Sequence, residues 1–419
     1  MKKVREGYKM TELGEIPNEW NVVKLKEVLE LLKDGTHNPP KRTEIGIPLL
    51  SAENIFNGKV NYGLNEKCIS LDDYSLMHKS YEIEKGNILM TIVGTIGRVA
   101  IVKEDRKFSV QRSVAILKNN KKINNEFLAK FLSSDICKKE LDRKSNSTAQ
   151  AGLYLGELAK INIISPTLKE QEKIASILST VDEQIDSVDE LIQKNKELKK
   201  GLMQQLLTKG IGHTKFKKTE IGEIPEEWEV RRIIDIADTT SGGTPSRAKK
   251  EYYINGIYPW VKTGELYSKY IRETEEYITE EALKKSSAKL VPVNTVIIAM
   301  YGATIGKLSI TKRKVTTNQA CCSIICNDNI CYNEYLYYRL DFEKEIIINL
   351  GAGGAQPNIS QDIIKNYKIA IPGIEEQKKI ALILSEVDKK IEEYEKKKKR
   401  LEELKKGLMQ QLLTGKIRV

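Results

Sequence analysis

The stretch with the most chemical promise is Asn38-Pro39-Pro40, which lies in a polar loop near the amino terminus. Adenine methyltransferases hold a flipped base with an Asn-Pro-Pro-aromatic motif, whose ring stacks on the base. Here Lys41 stands where the aromatic residue is needed, and no glycine-rich strand-to-helix loop for a cofactor precedes the motif. The residues therefore argue against a methyltransferase site, although a stand-alone methyltransferase stays open as a hypothesis.

A second stretch, GATIGK at 302–307, resembles a phosphate-binding loop. In such a loop four residues separate the glycines, and a Ser or Thr after the lysine binds magnesium. The glycines here are one residue too close, and Leu308 follows the lysine. A tight turn between strands is the better interpretation.

The histidines and cysteines form neither a catalytic nor a metal-binding pattern. His37, His78 and His213 are scattered, without HExxH spacing or an evident triad. The cluster CCSIICNDNIC (321–331) lacks paired CxxC spacing and lies in an apolar run that is typical of a buried strand. We therefore expect no catalytic residue, no metal site and no bound cofactor.

Residues that could contact nucleic acid lie in polar loops and turns beside strand-like runs. Basic side chains neutralise phosphates, whereas Arg, Asn and Gln can form paired hydrogen bonds to base edges. The loops DGTHNPPKR (34–42) and SGGTPSRAKK (241–250) both end in positive charge. Surface solvation is the alternative for any single residue, and only the collective pattern favours DNA binding. The candidate DNA-binding residues are Lys41, Arg42, Arg98, Gln111, Arg112, Thr244, Arg247, Lys249, Lys250, Lys262, Lys307, Asn318 and Gln319.

These loops belong to a chain that repeats itself once over its whole length. TELGEIPNEW, ending at Trp20, returns as TEIGEIPEEW, ending at Trp228. The middle regions are less alike, with weak echoes such as the glutamines Gln111 and Gln319. Nearly identical ends and divergent middles indicate that the two kinds of region serve different tasks.

A long helix follows each divergent middle region. Residues 167–208 carry apolar side chains at a 4-3 spacing, and the second half of the chain repeats this spacing. Thr167 and Glu170 form a capping box at the first start, and Gly210 and Gly415 are suitable stops. At 1.5 Å per residue, a helix of about 40 residues would be roughly 60 Å long.

An amphipathic helix of this length must cover its apolar stripe. Each helix could pack on its own domain, but the matched polar interruptions at Lys199 and Lys405 favour mutual pairing. If an approximate two-fold axis relates the halves, the paired helices run antiparallel. The sequence thus predicts two pseudo-two-fold-related α+β recognition domains separated by two long helices that form an antiparallel coiled coil. The predicted limits are 1–165 for the first domain, 166–210 for the first spacer helix, 211–372 for the second domain and 373–416 for the second spacer helix.

The segment LKKGLMQQLLT ends both helices, at 198–208 and 404–414. Its apolar side chains spread over a face wider than a two-stranded seam, which predicts contact with more than one neighbour. Gly201 and Gly407 each cost about 1 kcal/mol relative to alanine inside a helix, and a close approach by another backbone would explain both. Two equal docking places suggest two copies of one partner. The candidate partner-binding residues are Leu202, Met203, Leu206, Leu207, Leu408, Met409, Leu412 and Leu413.

Charge and hydropathy narrow the class of partner. Lys and Arg total 69 against 58 acidic residues, and a net charge of +11 with a pI near 9.0 favours a polyanionic partner. The first residues, MKKVREGYKM, lack the apolar run of a secretory signal, and no run approaches the roughly 18 apolar residues of a membrane span. We expect a soluble, cytoplasmic protein without a disulfide framework.

The predicted coiled coil would hold the two recognition domains on a stiff spacer, rotated by half a turn. Duplex DNA offers a matching two-fold, and dimeric readers contact half-sites at a fixed separation. Because the two middle regions differ in sequence, the predicted target is two unlike short sequences separated by an unread gap of fixed length.

The order of these motifs resembles that of the specificity subunits of type I restriction–modification systems, over essentially the whole chain. The resemblance is carried by EQEKIASIL (170–178) and EQKKIALIL (376–384), by both LKKGLMQQLLT endings, by the GEIPxxW segments at Gly14 to Trp20 and Gly222 to Trp228, and by SGGTPS with PWVKTGEL (259–266) after it.

The resemblance implies two target recognition domains, each reading half of a bipartite site in double-stranded DNA. It also implies a non-catalytic subunit without a cofactor of its own. Such a subunit assembles with two modification subunits, which methylate adenine using S-adenosylmethionine, and with restriction subunits that translocate and cleave DNA with ATP. The first half has KDGTHNPPK where the second has SGGTPS, so loop roles are not carried from the second domain to the first.

The main alternative is a scaffold that does not bind DNA, in which the coiled coil spaces two protein-binding domains. Phosphate neutralisation makes DNA affinity fall steeply with salt, so salt-insensitive or undetectable DNA binding would favour the scaffold. Binding of S-adenosylmethionine to the purified chain alone would revive the stand-alone methyltransferase.

Overall fold

The structure is a computed structural model, and it describes residues 4–63, 67–144, 152–351 and 358–419. The chain divides into two compact units. Unit 1 comprises Met1–Asp189 and Lys396–Val419, and unit 2 comprises Glu190–Glu395. The unit boundaries fall inside the long helices, whereas the four predicted segments end where those helices begin or stop. The predicted limits of the four segments therefore stay a prediction.

Unit 1 is a mixture of strands and helices, as the α+β interpretation predicts. Its strands are β1 (Tyr8–Thr11), β2 (Gly14–Pro17), β3 (Asn21–Lys24), β4 (Leu29–Asp34), β5 (Ile47–Leu50), β6 (Ile55–Phe56), β7 (Lys59–Val60), β8 (Cys68–Ile69), β9 (Ile88–Thr91), β10 (Val99–Ile101), β11 (Ser109–Val110), β12 (Val114–Asn119) and β13 (Asn162–Ser165). Its short helices are α1 (Leu71–Met77), α2 (Asn125–Leu132), α3 (Asp135–Lys144) and α4 (Leu155–Leu158). The first long helix, α5, spans Leu168–Lys209.

Unit 2 repeats this organisation. Its strands are β14 (Phe216–Thr219), β15 (Gly222–Pro225), β16 (Glu229–Arg232), β17 (Ala237–Ser241), β18 (Tyr258–Val261), β19 (Tyr270–Ile271), β20 (Tyr277–Ile278), β21 (Leu290–Val291), β22 (Val296–Ala299), β23 (Leu308–Thr311), β24 (Val315–Thr317), β25 (Cys321–Cys326) and β26 (Lys368–Ile371). Its short helices are α6 (Glu280–Lys285), α7 (Asn333–Phe342), α8 (Lys344–Leu350) and α9 (Gln361–Asn366). The second long helix, α10, spans Ile374–Leu412.

Each unit is built on a central sheet. In unit 1 its order is β10-β9-β12-β4, with all neighbours antiparallel. In unit 2 its order is β17-β25-β22-β23-β19, where β22 and β25 correspond to β9 and β12. A second sheet in each unit contains a parallel pair, β5 with β11 in unit 1 and β18 with β24 in unit 2.

The innermost strands are apolar on both faces because each separates two cores. Ile88 and Met90 of β9 enter the main core of unit 1, whereas Leu89 enters a smaller core on the opposite face. Since successive side chains of a strand point to opposite faces, such a strand reads as a continuous apolar run. This accounts for the strand-like runs NILMTIVG and NTVIIAM in the sequence.

The residues expected from the sequence to start and stop the long helices lie at or near the helix ends. Thr167 Oγ1 accepts a hydrogen bond from the Glu170 N–H at 3.4 Å, and Gly210 and Gly415 have φ angles of 66° and 67°. A repeated glutamine attaches each start to its own unit. Gln171 Oε1 accepts from the Asn124 N–H at 2.7 Å, and Gln377 Oε1 accepts from the Tyr332 N–H at 2.8 Å.

The two helices run antiparallel in each unit. In unit 1, Lys405 on α10 pairs with Asp182 on α5 at 2.6 Å, and Lys398 pairs with Asp189 at 2.7 Å. From one ion pair to the other, the residue number rises along α5 and falls along α10, so the two helices are antiparallel. In unit 2, Lys199 pairs with Asp388 at 2.7 Å. The two lysines that interrupt the apolar stripes therefore face aspartates on the opposite helix.

Both proposed ways of covering the apolar stripes occur. The start of each helix packs on its own unit, with Ile174 and Leu178 in the main core around Trp20. The middle of each stripe, such as Val188 in α5 and Ile391 in α10, is buried outside those large cores, where the ion pairs join the helices. None of the helices in the described part of the chain is long and apolar enough to cross a membrane.

Candidate nucleic-acid interface

Three connections meet at one end of the central sheet in each unit, and together they form what we call the loop end. The polar loop follows β4 or β17, and it spans 35–46 in unit 1 and 242–257 in unit 2. The hairpin turn joins β9 to β10 (92–98) or β22 to β23 (300–307). The tip turn precedes β12 or β25, at 111–114 and 318–321. Backbone hydrogen bonds between these connections hold them together.

In unit 1 a glycine lets the polar loop approach the tip turn closely. The Gly35 N–H donates to the Val114 carbonyl at 3.1 Å, and the Thr36 N–H donates to the Val110 carbonyl at 3.0 Å. A Cβ on Gly35 would lie 2.0 Å from the Val110 carbonyl oxygen, far inside any tolerable contact. Only glycine therefore fits at this position.

The polar loop of unit 2 docks in the same way, although its sequence differs. The Gly242 N–H donates to the Cys321 carbonyl at 3.3 Å, and the Gly243 N–H donates to the Thr317 carbonyl at 2.9 Å. A Cβ on Gly242 would lie 2.2 Å from the Thr317 carbonyl oxygen. KDGTHNPPK and SGGTPS thus dock in equivalent places, although their residues differ.

The tip turns are also equivalent, one residue out of step with the sequence match. The Val114 N–H donates to the Gln111 carbonyl at 3.0 Å, and the Cys321 N–H donates to the Asn318 carbonyl at 3.2 Å. Each turn opens with an N–H bonded to the neighbouring parallel strand. The sequence comparison aligned Gln111 with Gln319, but these hydrogen bonds pair Gln111 with Asn318. Compared with unit 1, unit 2 has one residue more between its paired hairpin strands and two fewer between β23 and the tip turn, and this net difference of one residue shifts the register.

The second position of each tip turn carries an exposed polar side chain, Arg112 in unit 1 and Gln319 in unit 2. Within the described residues, the Arg112 guanidinium has no hydrogen bond or ion pair. The Thr244 hydroxyl donates to Gln319 Oε1. Beneath this turn, Thr317 Oγ1 and Asn318 Oδ1 are buried with no hydrogen-bond partner among the described residues. The structure therefore brings three predicted residues of unit 2 together at one turn.

The hairpin turns each end in an exposed basic residue. Arg98 follows Gly97, and Lys307 follows Gly306, just before β10 and β23 begin. Neither side chain has an ion pair with any described part of the chain. An unpaired cation beside a polar turn is suited to a phosphate oxygen. The turn 302–307, which resembles a phosphate loop in sequence, is indeed a connection between two strands.

Two of the predicted DNA-binding cations are already paired inside unit 2. The Arg247 guanidinium lies 2.5 Å from Glu276 and 4.7 Å from the centre of the Trp260 ring. Lys262 lies 2.9 Å from Glu276 and 3.1 Å from Glu275. The hydrogen bond from Arg247 holds the pKa of the Glu276 carboxyl below its usual range. Both cations would reach a phosphate only by leaving these ion pairs.

The remaining predicted cations lie along the polar loops. Arg42 donates to the carbonyl of residue 67 at 3.3 Å, and Lys249 donates to a tyrosine hydroxyl at 3.1 Å. Lys41 and Lys250 are exposed and form no ion pair within the described residues. These four side chains add positive charge to the loop ends.

Sequence reasoning missed the acidic residues of the loop ends. Asp34 Oδ2 lies 2.7 Å from His37 Nε2, which places this histidine in the polar loop of unit 1. Glu276 organises two cations of unit 2 from outside every motif. The short spacing from 34 to 37 was visible in the sequence, whereas nothing in the sequence marks Glu276 as the partner of Arg247.

The predicted partner-binding side chains pack mostly inside the units. Each helix end enters a main core, which explains the wide apolar face without any partner. The buried residues are Met203, Leu206 and Leu207 in unit 2 and Leu412 and Leu413 in unit 1, while Leu202, Leu408 and Met409 are partly buried beside them.

A different face of the duplicated segment is open. We define the glycine face as Leu198 with Gly201 in the first copy and Leu404 with Gly407 in the second. The leucines are 51% and 50% exposed. Apart from its chain neighbours and the nearby backbone of its own helix, a Cβ on either glycine would meet no atom of the described chain within 4 Å. The close backbone approach predicted at these glycines is therefore not made by the described residues of this chain.

The described residues were also compared with the patterns of metal sites and of reactive thiols. No group of three or more His, Cys, Asp or Glu side chains among them could hold a metal ion. Cys321 and Cys322 lie buried in β25, as the strand interpretation predicts, and burial raises the pKa of both thiols to about 12. These thiols are therefore protonated at neutral pH.

Comparison with known proteins gives consistent matches. A family model described as type I restriction modification DNA specificity domain matches twice, at residues 17–200 and 225–403. A putative type I restriction enzyme MjaX specificity subunit from Methanocaldococcus jannaschii is 30% identical, over 99% of this chain and 97% of that protein. The type I restriction enzyme MjaVIII specificity subunit from the same organism is 28% identical, over 99% of this chain and 96% of that protein.

The fold is also shared with a solved structure. The crystal structure of a type I restriction-modification system S subunit from M. genitalium matches with a TM-score of 0.62 at 16% identity. The match covers 98% of this chain and 97% of that chain. At this identity the likeness concerns the fold alone.

Proposed function

Because this chain belongs to the family of type I restriction–modification specificity subunits, we propose that it recognises a bipartite sequence in double-stranded DNA. Unit 1 reads one half of the site and unit 2 reads the other. The paired helices set the length of the unread gap between the halves. The chain acts as the recognition component of a cytoplasmic assembly, in which modification and restriction subunits carry the chemistry.

The observation that carries this proposal is the duplicated loop end. Both units present the same three connections at the same end of the central sheet, held by equivalent backbone hydrogen bonds. The exposed side chains on that common frame differ between the units. A repeated frame with different side chains is what two unlike half-sites require, because phosphate contacts position a protein and base contacts specify the sequence.

The electrostatic part of binding is assigned to the free cations of the loop ends. Arg98 and Lys307 occupy equivalent places after the last glycine of the hairpin turns. Each would neutralise one phosphate and release its counterion, which makes affinity fall with salt. Arg247 and Lys262 are given a structural role instead, because Glu276 already neutralises them.

The glycine face is the proposed docking place for two modification subunits. It occurs twice with identical residues, it is exposed in both copies, and its glycines have no intrachain reason to avoid a side chain. A glycine in a helix lets another backbone approach closely. A partner helix would thus recover the cost of about 1 kcal/mol that each glycine imposes on its helix.

The experiment is a salt titration of DNA binding by this chain co-expressed with a modification subunit. Labelled duplex of mixed sequence is bound at several salt concentrations, and the slope of log affinity against log salt is measured. The double variant R98A/K307A should reduce the slope by about two, since each phosphate contact contributes about 0.9. Lys218, an exposed residue of the separate β14–β15 hairpin, provides the control K218A. An intact complex with salt-insensitive or undetectable binding would favour the scaffold.

A further inference from the structure

We infer that the second residue of the tip turn reads a base pair in each half-site, with Arg112 selecting guanine and Gln319 selecting adenine. The inference rests on the proposed function, and it adds the chemical identity of one base in each half. It starts from the hydrogen bonds of the tip turns, which align Arg112 with Gln319.

The backbone presents both side chains in the same way. Equivalent hydrogen bonds close the tip turns at 111–114 and 318–321. The turn in unit 1 leads into β12, which pairs with β9, and the turn in unit 2 leads into β25, which pairs with β22. In each unit, the unit's own glycine-containing polar loop forms hydrogen bonds to one side of the turn. A change of side chain at the second position therefore changes the chemistry without changing the frame.

Arg112 has the donors that guanine requires. Its guanidinium is exposed and has no partner among the described residues. It offers parallel N–H donors in a planar fork, and guanine presents two acceptors, O6 and N7, in the major groove. Adenine places a donor where guanine has O6, so the arginine would meet an N–H group there and lose one of two hydrogen bonds.

Gln319 has the mixed pattern that adenine requires. Its Oε1 accepts the Thr244 hydroxyl proton, and an amide oxygen has a second lone pair. That lone pair can accept from the adenine amino group while Nε2 donates to N7. The contact with Thr244 also holds the Gln319 amide in place, and such preorganisation reduces the entropy lost on binding.

Two buried polar atoms at the start of the unit 2 tip turn favour a polar ligand there. Thr317 Oγ1 and Asn318 Oδ1 are buried and lack a hydrogen-bond partner among the described residues. Buried polar atoms are almost always satisfied by protein or ordered water. At the equivalent place in unit 1, Val110 replaces the threonine and leaves no hydroxyl to satisfy. The two turns thus differ in their floor as well as at their tip.

The test is an exchange of the two tip residues. Complexes of wild type, R112Q and Q319R with a co-expressed modification subunit select duplexes from a random pool, and the bound DNA is sequenced. In R112Q, one position of one half-site should change from guanine to adenine, with the other half-site unchanged. In Q319R, one position of the other half-site should change from adenine to guanine. Each preference should shift by about 10- to 100-fold, since a paired contact discriminates by a few kcal/mol.

R98Q is the matched control, because it makes the same chemical change in the neighbouring hairpin turn. It should weaken binding to all sequences without changing any selected base. If R112Q and Q319R change the affinity for all sequences without changing any selected base, the assignment of base reading to these positions is wrong, while a bipartite wild-type site would still support the proposed function. If wild type in an intact complex selects no bipartite site, both fail together. Thermal unfolding of each variant shows whether the exposed substitution has left the fold intact.

Discussion

The Asp182 carboxylate on α5 lies 2.6 Å from the Lys405 ammonium on α10, and the equivalent pair in unit 2, Asp388 with Lys199, is separated by 2.7 Å. Each aspartate also contacts its own recognition domain, Asp182 through Lys130 and Asp388 through the Tyr338 hydroxyl. Polar groups inside an apolar seam specify the register of a coiled coil at some cost in stability. These pairs therefore fix both the register of the helices and their attachment to each unit.

Asp182→Asn should lower the free energy of unfolding at neutral pH, and it should make that free energy less dependent on pH in the acid range. Burial opposes ionisation of this carboxyl, but hydrogen bonds from Lys130 and Lys405 outweigh it and hold the pKa of Asp182 below its ordinary value. A depressed pKa stabilises the fold above the unfolded pKa, near 3.9, and this contribution is lost as pH falls through the folded pKa. We expect a loss of about 1 kcal/mol at pH 7.

Melting temperatures of wild type and Asp182→Asn from pH 7 to pH 3 measure this effect. The difference between them should be largest at neutral pH and should shrink below about pH 4. Asp105→Asn, an exposed change without an ion pair among the described residues, is the control. A difference that is constant across the whole range would show that the ion pairs do not contribute through the charge of Asp182.

Lengthening both helices should lengthen the gap between the half-sites. Seven residues inserted after Ile192 and, opposite them, after Glu395 preserve the apolar repeat, and they leave the ion pairs Lys196–Glu395 and Asp189–Lys398 intact on either side. Such an insertion adds roughly 10 Å of helix, equivalent to about three base pairs. Selection from a random pool should return the same two half-sites at a larger separation. An unchanged separation would show that the helices do not set the gap.

Filling the glycine face should remove modification subunits one at a time. Gly201→Leu and Gly407→Leu place a side chain where the chain itself has open space, so the fold should be stabilised by up to about 1 kcal/mol. Each single variant should lose one modification subunit, and the double variant should lose both. Native mass measurement of the co-purified complex reports the stoichiometry. Gly201→Ala and Gly407→Ala test the same helix propensity with minimal bulk, and full binding by the leucine variants would exclude this face.

The carboxyl-terminal residues should stabilise unit 1 through Glu170. Arg418 Nε lies 2.6 Å from Glu170 Oε1, and the Trp20 indole N–H donates to Oε2 at 3.0 Å. In unit 2 His213 and Trp228 surround Glu376 in the same arrangement.

Arg418→Ala leaves a mostly buried carboxylate with one charge partner fewer, and it should destabilise unit 1 by about 1–2 kcal/mol. Urea unfolding followed by hydrogen exchange separates the two units and locates the loss. Arg400→Ala, an exposed change on α10, is the control and should be near neutral. A loss confined to unit 2, or none at all, would contradict the role given to Arg418.

The long helices and the inner strands could be predicted because their patterns are local. A 4-3 apolar spacing requires a helix with one covered stripe, and the runs around Leu89 and Ile297 require strands covered on both faces. The partner of an apolar face is not encoded locally, so Leu206 and Leu413 were assigned to a partner although each fills a core of its own unit. The sequence also could not align Arg112 with Gln319, because a one-residue difference between the repeats is visible only in the pairing of strands.

The most direct measurement is selection of duplexes from a random DNA pool by the wild-type chain in complex with a modification subunit, at fixed salt. Two repeated loop ends with different exposed side chains predict two unlike short blocks at one constant separation. Enrichment of a single unsplit motif, or no enrichment by an intact complex, would contradict the account and favour a scaffold that does not read DNA.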